Sequence, residues 1–249
     1  MPRPRIYTPA ALRTGTTHTL PESAAAHVTR VLRLAAGDPI TLFDGSGADY
    51  DAVLRVAARS GVSAEIGERR DVHRESPLAV TLLQGISRGA RMDTVMQKAT
   101  ELGVRIIQPV LAERSVVRLD AERSQSRLEH WQRIVISACE QCGRSMLPEV
   151  RPPRSLSDTL ASLEPDTVGL TLDPAGKATL DQLVGNTSRV ALAIGPEGGF
   201  TGKEIEALAR AGFRGMRLGP RILRTETAPL AALAILQFAR GDLGQTPAP

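Results

Sequence analysis

The chain has 249 residues, 42% hydrophobic and 23% charged, which excludes a disordered chain and suits one large domain with one small one. Net charge is only +4, yet the basic side is nearly all arginine: of 31 basic residues only Lys98, Lys177 and Lys203 are lysine. Arginine's planar fork suits phosphates and base edges, but a GC-rich genome favours the same residue, so basicity alone identifies no partner.

In chain order, Met1 to Pro9 carries charges and prolines and is followed by no apolar h-region, so no secretory signal is expected and a cytoplasmic protein is. Ile40 to Phe43 runs into the turn Asp44-Gly45-Ser46-Gly47, and Tyr50 to Val56 alternates after it. These read as hairpins of a small β-rich domain covering residues 1–72. A polar stretch, His73-Arg74-Glu75-Ser76, closed by Pro77, marks the boundary, and residues 73–249 form the second domain. There, strand-like Ala79–Leu83 and Val104–Val110 alternate with helical Met92–Leu102 and Gln125–Gln141. Val168–Leu172, Val190–Ile194 and Met216–Leu218 continue the rhythm, which predicts a mostly parallel α/β sheet with ligand-binding loops at the strands' carboxyl ends. The longest apolar stretch, Pro229 to Ala239, is far short of the roughly 20 residues that cross a bilayer, so no membrane span is expected. The tail Gly244 to Pro249 reads as low complexity.

Two loops carry the chemistry. Ile194-Gly195-Pro196-Glu197-Gly198-Gly199-Phe200-Thr201 takes a strand into a helix. Glycine there admits close backbone approach, and Thr201 with Glu204 has capping-box spacing, so the first helical amides point back at the loop. Alone, this is also how a tight structural connection looks. The second loop, Leu218-Gly219-Pro220-Arg221-Ile222-Leu223-Arg224-Thr225-Glu226-Thr227-Ala228, packs arginines, a carboxylate and hydroxyls beside an apolar helix. Each would need a partner in a plain connector, because an unpaired buried polar group costs about 1–3 kcal/mol.

Gly195 to Phe200 and Leu218 to Ala228 resemble the two signature loops of RsmE-type 16S rRNA (uracil-N3)-methyltransferases, in the SPOUT superfamily. Val31-Leu32-Arg33-Leu34 with Gly37-Asp38, Gln97 to Val104, Glu140-Gln141, Arg144 and Pro148 resemble other stretches of that family. Cys142 stands where the family has a small residue such as serine. The resemblance implies a PUA-like β-barrel RNA-binding domain followed by an α/β methyltransferase domain whose carboxyl end threads a trefoil knot. Nothing in the periodicity reveals a knot, which is rare among folds. It further implies a homodimer acting on 16S rRNA in the 30S subunit. S-adenosylmethionine (SAM) is the implied cofactor, held by Leu172, Asp173, Gly195, Pro196, Glu197, Gly198, Gly199, Leu218, Gly219, Ile222, Leu223 and Thr227.

Uracil N3 loses a proton as the methyl arrives, so the site needs alignment plus charge stabilisation or a base. Arg224 is the candidate for stabilising the uracil anion, and Glu226 for accepting the proton or orienting Arg224; a purely structural Arg224–Glu226 pair is the alternative. For RNA, Arg3, Arg5, Arg30 and Arg33 in the first domain are candidates for phosphate contacts, and Arg88, Arg91 and Arg144 for lining the cleft. Aromatic residues are 3% of the chain, too few for a stacking platform, which favours shape and phosphate recognition.

Three other readings compete. Gly85-Ile86-Ser87-Arg88-Gly89 matches a hydrolase nucleophile elbow, but the only later histidine, His130, comes too early for the required acid-then-histidine order. Cys139 and Cys142 have redox or zinc spacing without two further ligands, so they are expected as reduced thiols and no metal is expected. A non-catalytic RNA-binding module explains the arginines but leaves both loops without a purpose.

Overall fold

A computed structural model of the chain describes residues 3–57, 61–115, 120–173 and 175–244. The tail read as low complexity therefore lies, from residue 245 on, outside the described residues. The chain divides into two units, Met1–Glu75 with Ile136–Leu147, and Ser76–Val135 with Pro148–Pro249.

In the first unit, β1 (Arg5–Tyr7), β2 (Thr17–Thr19), β3 (Pro39–Phe43), β4 (Ala48–Ala57) and β5 (Gly61–Asp71) form one sheet in the order β1-β3-β4-β5-β2. Between β2 and β3, the helix α1 (Glu22–Ala26) continues as a π-helical turn, His27–Val31. The β3–β4 hairpin turns on Gly45 and Gly47, at φ 88° and 91°, with the Asp44 carboxylate accepting from the Ser46 amide at 3.0 Å. Tyr50, Ala52 and Leu54 of β4 face inward, as do Val62, Ala64 and Ile66 of β5. β1 and β2 are opposite edges with three strands between them. At about 4.8 Å per strand a flat sheet would hold them far apart, yet Thr8 Oγ1 and His18 Nε2 are 2.8 Å from each other. The sheet is therefore rolled into a small barrel around Ile6, Val28, Ile40, Leu42 and Leu54.

The second unit holds β6 (Ala79–Gly85), α2 (Ala90–Glu101), β7 (Ile106–Leu111) and the start of α3 (Ala121–Cys142), whose end belongs to the first unit. β8 (Glu149–Val150), β9 (Arg154–Ser155), α4 (Leu156–Ala161), β10 (Val168–Leu172) and α5 (Leu180–Val184) follow. The chain closes with β11 (Arg189–Ile194), α6 (Gly202–Arg210), β12 (Arg214–Met216) and α7 (Thr227–Arg240). Strands run β12-β10-β11-β6-β7-β8, with β9 also on β7, and every pairing is parallel. Central β11 is buried from Val190 to Ile194, the continuous apolar run of a strand covered on both faces. α2 buries Met92, Val95, Met96 and Ala99, one face at helical spacing.

This order positions the site. From β6 the chain moves outward through β7 to β8 and β9, then returns to lay β10, β11 and β12 on the other side of β6. The reversal brings the carboxyl ends of β10, β11 and β12 together beside that of β6, where open α/β sheets bind ligands.

Several strand boundaries differ by a residue or two from the sequence expectation, and two of them bear on the second unit's loops. β7 begins at Ile106 rather than Val104, because the Gly103 and Val104 amides still donate to the Thr100 and Ala99 carbonyls, closing α2. The strand read at Met216–Leu218 is Arg214–Met216, an edge strand that among the described residues pairs with β10 alone. Its Gly215 lies so close to Asp173 that a Cβ would sit 2.7 Å from that residue's own Cβ.

Among the described residues, no helix is long and apolar enough to cross a membrane. Close backbone packing at the sheet's carboxyl end makes a testable demand. A Cβ at Gly85 would lie 2.5 Å from Pro196 N and Cδ, whereas one at Gly202 meets nothing within 4 Å. Gly85→Ala is expected to lower unfolding free energy by about 1–3 kcal/mol, and Gly202→Ala to leave it unchanged or raise it by up to about 1 kcal/mol; urea denaturation with matched m-values checks both.

Candidate functional site

The first loop is shaped by its glycines and its cap. A Cβ on Gly195 would stand 2.9 Å from the Gly199 carbonyl carbon and the Phe200 nitrogen, so the loop folds back only because that atom is missing. Gly199 adopts φ 67° and its amide donates to the Pro196 carbonyl at 2.8 Å. The capping box is present: the Glu204 amide donates to Thr201 Oγ1 at 3.3 Å and the Thr201 amide to Glu204 Oε2 at 2.8 Å. The second carboxylate oxygen of buried Glu204 accepts from the Glu113 amide at 2.9 Å, and Arg114 donates to the Gly198 carbonyl at 3.1 Å. One carboxylate thus starts α6 and holds the segment after β7 against the loop.

The second loop is pinned from inside by Thr225. Its hydroxyl donates to the Gly195 carbonyl at 2.8 Å. With its one proton used there, its lone pairs are left for Gln84 Nε2 and Ser87 Oγ, each 3.3 Å away. Ser87 is 3% exposed and bonded into this knot of contacts, and His130 pairs instead with Asp93, so the hydrolase elbow is ruled out. The third loop leaves β10, where the Asp173 amide donates to the Met216 carbonyl at 3.0 Å and the Asp173 carboxylate accepts from the Ala175 amide at 2.8 Å.

Together the loops enclose a cavity of about 1040 Å³. Leu172, Asp173, Gly195 to Gly199, Leu218, Gly219, Ile222, Leu223, Arg224 and Glu226 all line it. Thr227 does not: it is exposed at the start of α7, and Thr225 takes the inner position. Missing from the sequence reading are the apolar walls, among them Phe200, Leu208, Phe213 and Met216. Their helical and strand spacing reads as ordinary core.

The charges are arranged differently from the expectation. Arg224 is exposed and its guanidinium has no ion-pair partner among the described residues, so an Arg224–Glu226 pair is absent. Arg91 is the cation at Glu226, its Nε lying 3.8 Å from Oε2. That oxygen is buried without a hydrogen-bond partner. The same guanidinium donates through Nη1 to Glu197 Oε1 at 2.8 Å, and the Arg88 amide donates to that oxygen at 3.0 Å. Burial pushes the Glu197 carboxyl up, but the amides of Arg88 and Glu197 itself, together with Arg91, outweigh it and hold the group below its usual range.

Of the arginines expected to meet RNA, Arg30, Arg33 and Arg88 are exposed, and Arg3 is half exposed against Asp51 at 2.8 Å. Arg33 takes φ 55° where the π-helical turn ends, a conformation uncommon for a residue with a side chain. Arg5 and Arg144 correct the expectation. Arg5 is ion-paired to Asp49, donates to the Arg144 carbonyl and Ser145 Oγ at 3.1 Å, and stacks on Phe43 with 4.9 Å to the ring centre. Arg144 lies in the first unit, 5% exposed, paired with Glu75 at 2.5 Å. Both hold the first unit together and present nothing to a phosphate. Desolvation pushes the Cys139 thiol up to about 12, which keeps it protonated and unsuited to redox exchange or metal ligation.

Comparison with known proteins agrees with this geometry. Residues 74–237 match the model of an RNA methyltransferase domain, and residues 20–67 that of an RNA methyltransferase PUA domain. Over 240 residues the chain is 33% identical to the ribosomal RNA small subunit methyltransferase E of Buchnera aphidicola (subsp. Schizaphis graminum), covering 96% of this chain and 98% of that one. The Bacillus subtilis enzyme of that name is 32% identical, covering 87% and 89%. In structure, a Legionella pneumophila protein solved with bound SAM superposes with a TM-score of 0.93 at 40% identity, covering 98% of this chain and 100% of that one. The Neisseria gonorrhoeae ribosomal RNA small subunit methyltransferase E bound to SAM gives 0.89 at 42% identity, covering 97% and 99%. A rolled amino-terminal sheet, a parallel sheet with three loops at one end, and full-length identity to these enzymes place the chain in the RsmE family of small-subunit ribosomal RNA methyltransferases.

Proposed function

We propose that this protein transfers a methyl group from SAM to N3 of one uridine in 16S rRNA of the 30S subunit, acting as a cytoplasmic homodimer. The observation that carries the reading is the cavity of about 1040 Å³ under three loops, at the upper end of small-molecule sites. Its lining combines glycine-rich loop backbone with apolar side chains such as Phe200, Leu208, Phe213 and Met216, which fits an adenosine joined to an amino acid. Leu172, Asp173, Gly195 to Gly199, Leu218, Gly219, Ile222 and Leu223 would hold it. When bound, SAM supplies an electrophilic methyl carbon on a sulfonium that leaves as a neutral thioether.

The chain's own task is the proton. Glu226, whose side chain lines the cavity, accepts it from N3 as the N–C bond forms. Arg224, without an internal partner, faces the charge that develops on the uracil carbonyls. Residues 1–72 act as the PUA-like RNA-binding domain, with Arg3, Arg30 and Arg33 on phosphates, and residues 73–249 as the methyl-transferring domain with a trefoil knot at its carboxyl end. Exposed Ile235 and Phe238 on α7, with Leu243 beyond it, support a subunit interface, since grouped apolar surface marks contact sites.

Two measurements test this. With 30S subunits lacking the modification, labelled SAM is expected to yield 3-methyluridine in 16S rRNA, located by mass spectrometry. Methylation elsewhere keeps the enzyme class and removes the target; neither SAM binding nor transfer leaves an RNA-binding module. In calorimetry, Gly195→Ala is expected to weaken SAM binding more than ~10-fold, roughly 1.4 kcal/mol, while Glu226→Gln binds SAM normally and lowers kcat by about 10²-fold or more.

A further inference from the structure

The second unit has another cavity, of about 270 Å³, at the opposite end of its sheet from the three loops. It opens at the amino ends of β6, β7 and β11, whose first residues Ala79, Ile106 and Arg189 all line it. β6 is seven residues long, so at about 3.3 Å per residue roughly 20 Å of strand separates the two cavities.

Three arginines, Arg105, Arg151 and Arg189, line this cavity against one carboxylate, Glu164. Each is held differently. Arg151 is fixed by two bonds to Glu149, of 3.0 and 3.1 Å. Arg189 meets Glu164 only at 3.5 Å, and both side chains are more than half exposed, so the pair is long for a hydrogen bond and contributes little. Arg105 is exposed, and its guanidinium has no ion-pair partner among the described residues. Its backbone is fixed, the amide donating to the Val80 carbonyl at 2.9 Å and the carbonyl accepting from the Glu149 amide at 3.0 Å. Even with Glu149 included, three cations meet two carboxylates, which leaves one positive charge uncompensated. Thr167 and Ser188 add hydroxyls that make no hydrogen bond among the described residues.

We propose that this cavity is a phosphate site, taking a backbone phosphodiester of the RNA substrate while the target base lies at the other end of the sheet. A guanidinium meets phosphate oxygens through two parallel donors, and Arg105 and Arg189 have donors to give. Small ligands of parallel α/β sheets sit at the carboxyl ends of the strands. A ligand held at both ends at once, roughly 20 Å apart along β6, has to be a macromolecule, and a folded RNA carries phosphates at such distances from any one base. The inference rests on 16S rRNA in the 30S subunit as the target and is independent of which atom receives the methyl group.

The experiment measures binding of 30S subunits to the SAM-loaded protein across salt for the wild type, R105A, R105K, R189A and R210A, with SAM affinity and steady-state kinetics for each. Arg210, on α6, is exposed and lies outside this cavity, so it serves as the control for lost charge. R105A and R189A are each expected to flatten the slope of log affinity against log salt by about 0.7–0.9. They raise KM for 30S subunits and leave kcat and SAM affinity as in wild type, whereas R105K and R210A keep the wild-type slope. Slopes unchanged in R105A and R189A, or flattened equally in R210A, overturn the proposal. If R189A is unstable, R105A against R105K decides it. Inorganic phosphate titrated into wild type and R105A by calorimetry separates the sources. Phosphate bound by wild type and lost in R105A, beside unchanged slopes, makes the cavity a site for a free phosphate compound and removes the RNA. A wild type that binds no 30S subunits at any salt removes the target and the proposal with it, whereas normal 30S binding with unchanged slopes removes the cavity's role alone.

Discussion

The site depends on one hydroxyl and the absence of two β-carbons. Thr225 donates to the carbonyl of Gly195 and accepts from Gln84 and Ser87. It joins the end of β6, the glycine loop and the loop before α7, segments separated by 100 residues or more on one side. At that point Gly85 and Gly195 lie where a Cβ would be 2.5 Å and 2.9 Å from neighbouring backbone. Backbone has to meet backbone there, and only a side chain as small as threonine's can supply a donor and two acceptors in the space left. A half-buried hydroxyl with its donor and both lone pairs engaged is a rigid fixing. It holds the two loops at a fixed spacing before any ligand arrives, and preorganised loops lose little freedom on binding.

The electrostatics follow from that fixing. Because the glycine loop is held, Glu197 reaches the start of α2 and takes the Arg88 amide together with Arg91. Because the second loop is held, Glu226 comes within 3.8 Å of the same guanidinium. A single arginine is then shared by the two loops, close to one carboxylate and bonded to the other. On the opposite side, Glu204 closes the start of α6 and takes the Glu113 amide, so the loop is braced at both of its ends by carboxylates accepting backbone amides.

Much of the second unit was legible because its signals are local. The capping box at Thr201, the apolar run of β11 and the helical face of Met92, Val95, Met96 and Ala99 each follow from residues near one another in sequence. The hairpin at Asp44 to Gly47 was readable for the same reason. β5 carries an equally local signal, since Val62, Ala64 and Ile66 alternate with Ser63 and Glu65. α4 and α5 also carried their signals, with Ser155 and Thr179 capping them through the Asp158 and Gln182 amides. What could not be read is long-range. Nothing near Thr225 in sequence shows that its hydroxyl meets Gly195, and nothing near Arg91 shows that it rather than Arg224 stands beside Glu226.

The arginines make the same point about composition. Arg5 and Arg144 are indistinguishable in sequence from Arg3 and Arg30, yet one pair is locked to Asp49 and Glu75 inside the first unit and the other is exposed. A guanidinium can leave water only where a carboxylate and carbonyls meet its fork. Whether such partners exist is decided by β1 lying beside β3 and by the end of α3 belonging to the same unit, both products of the folded chain. An excess of arginine therefore overstates the surface available to RNA, and the charges that matter for recognition are those left over once the interior ion pairs have been formed.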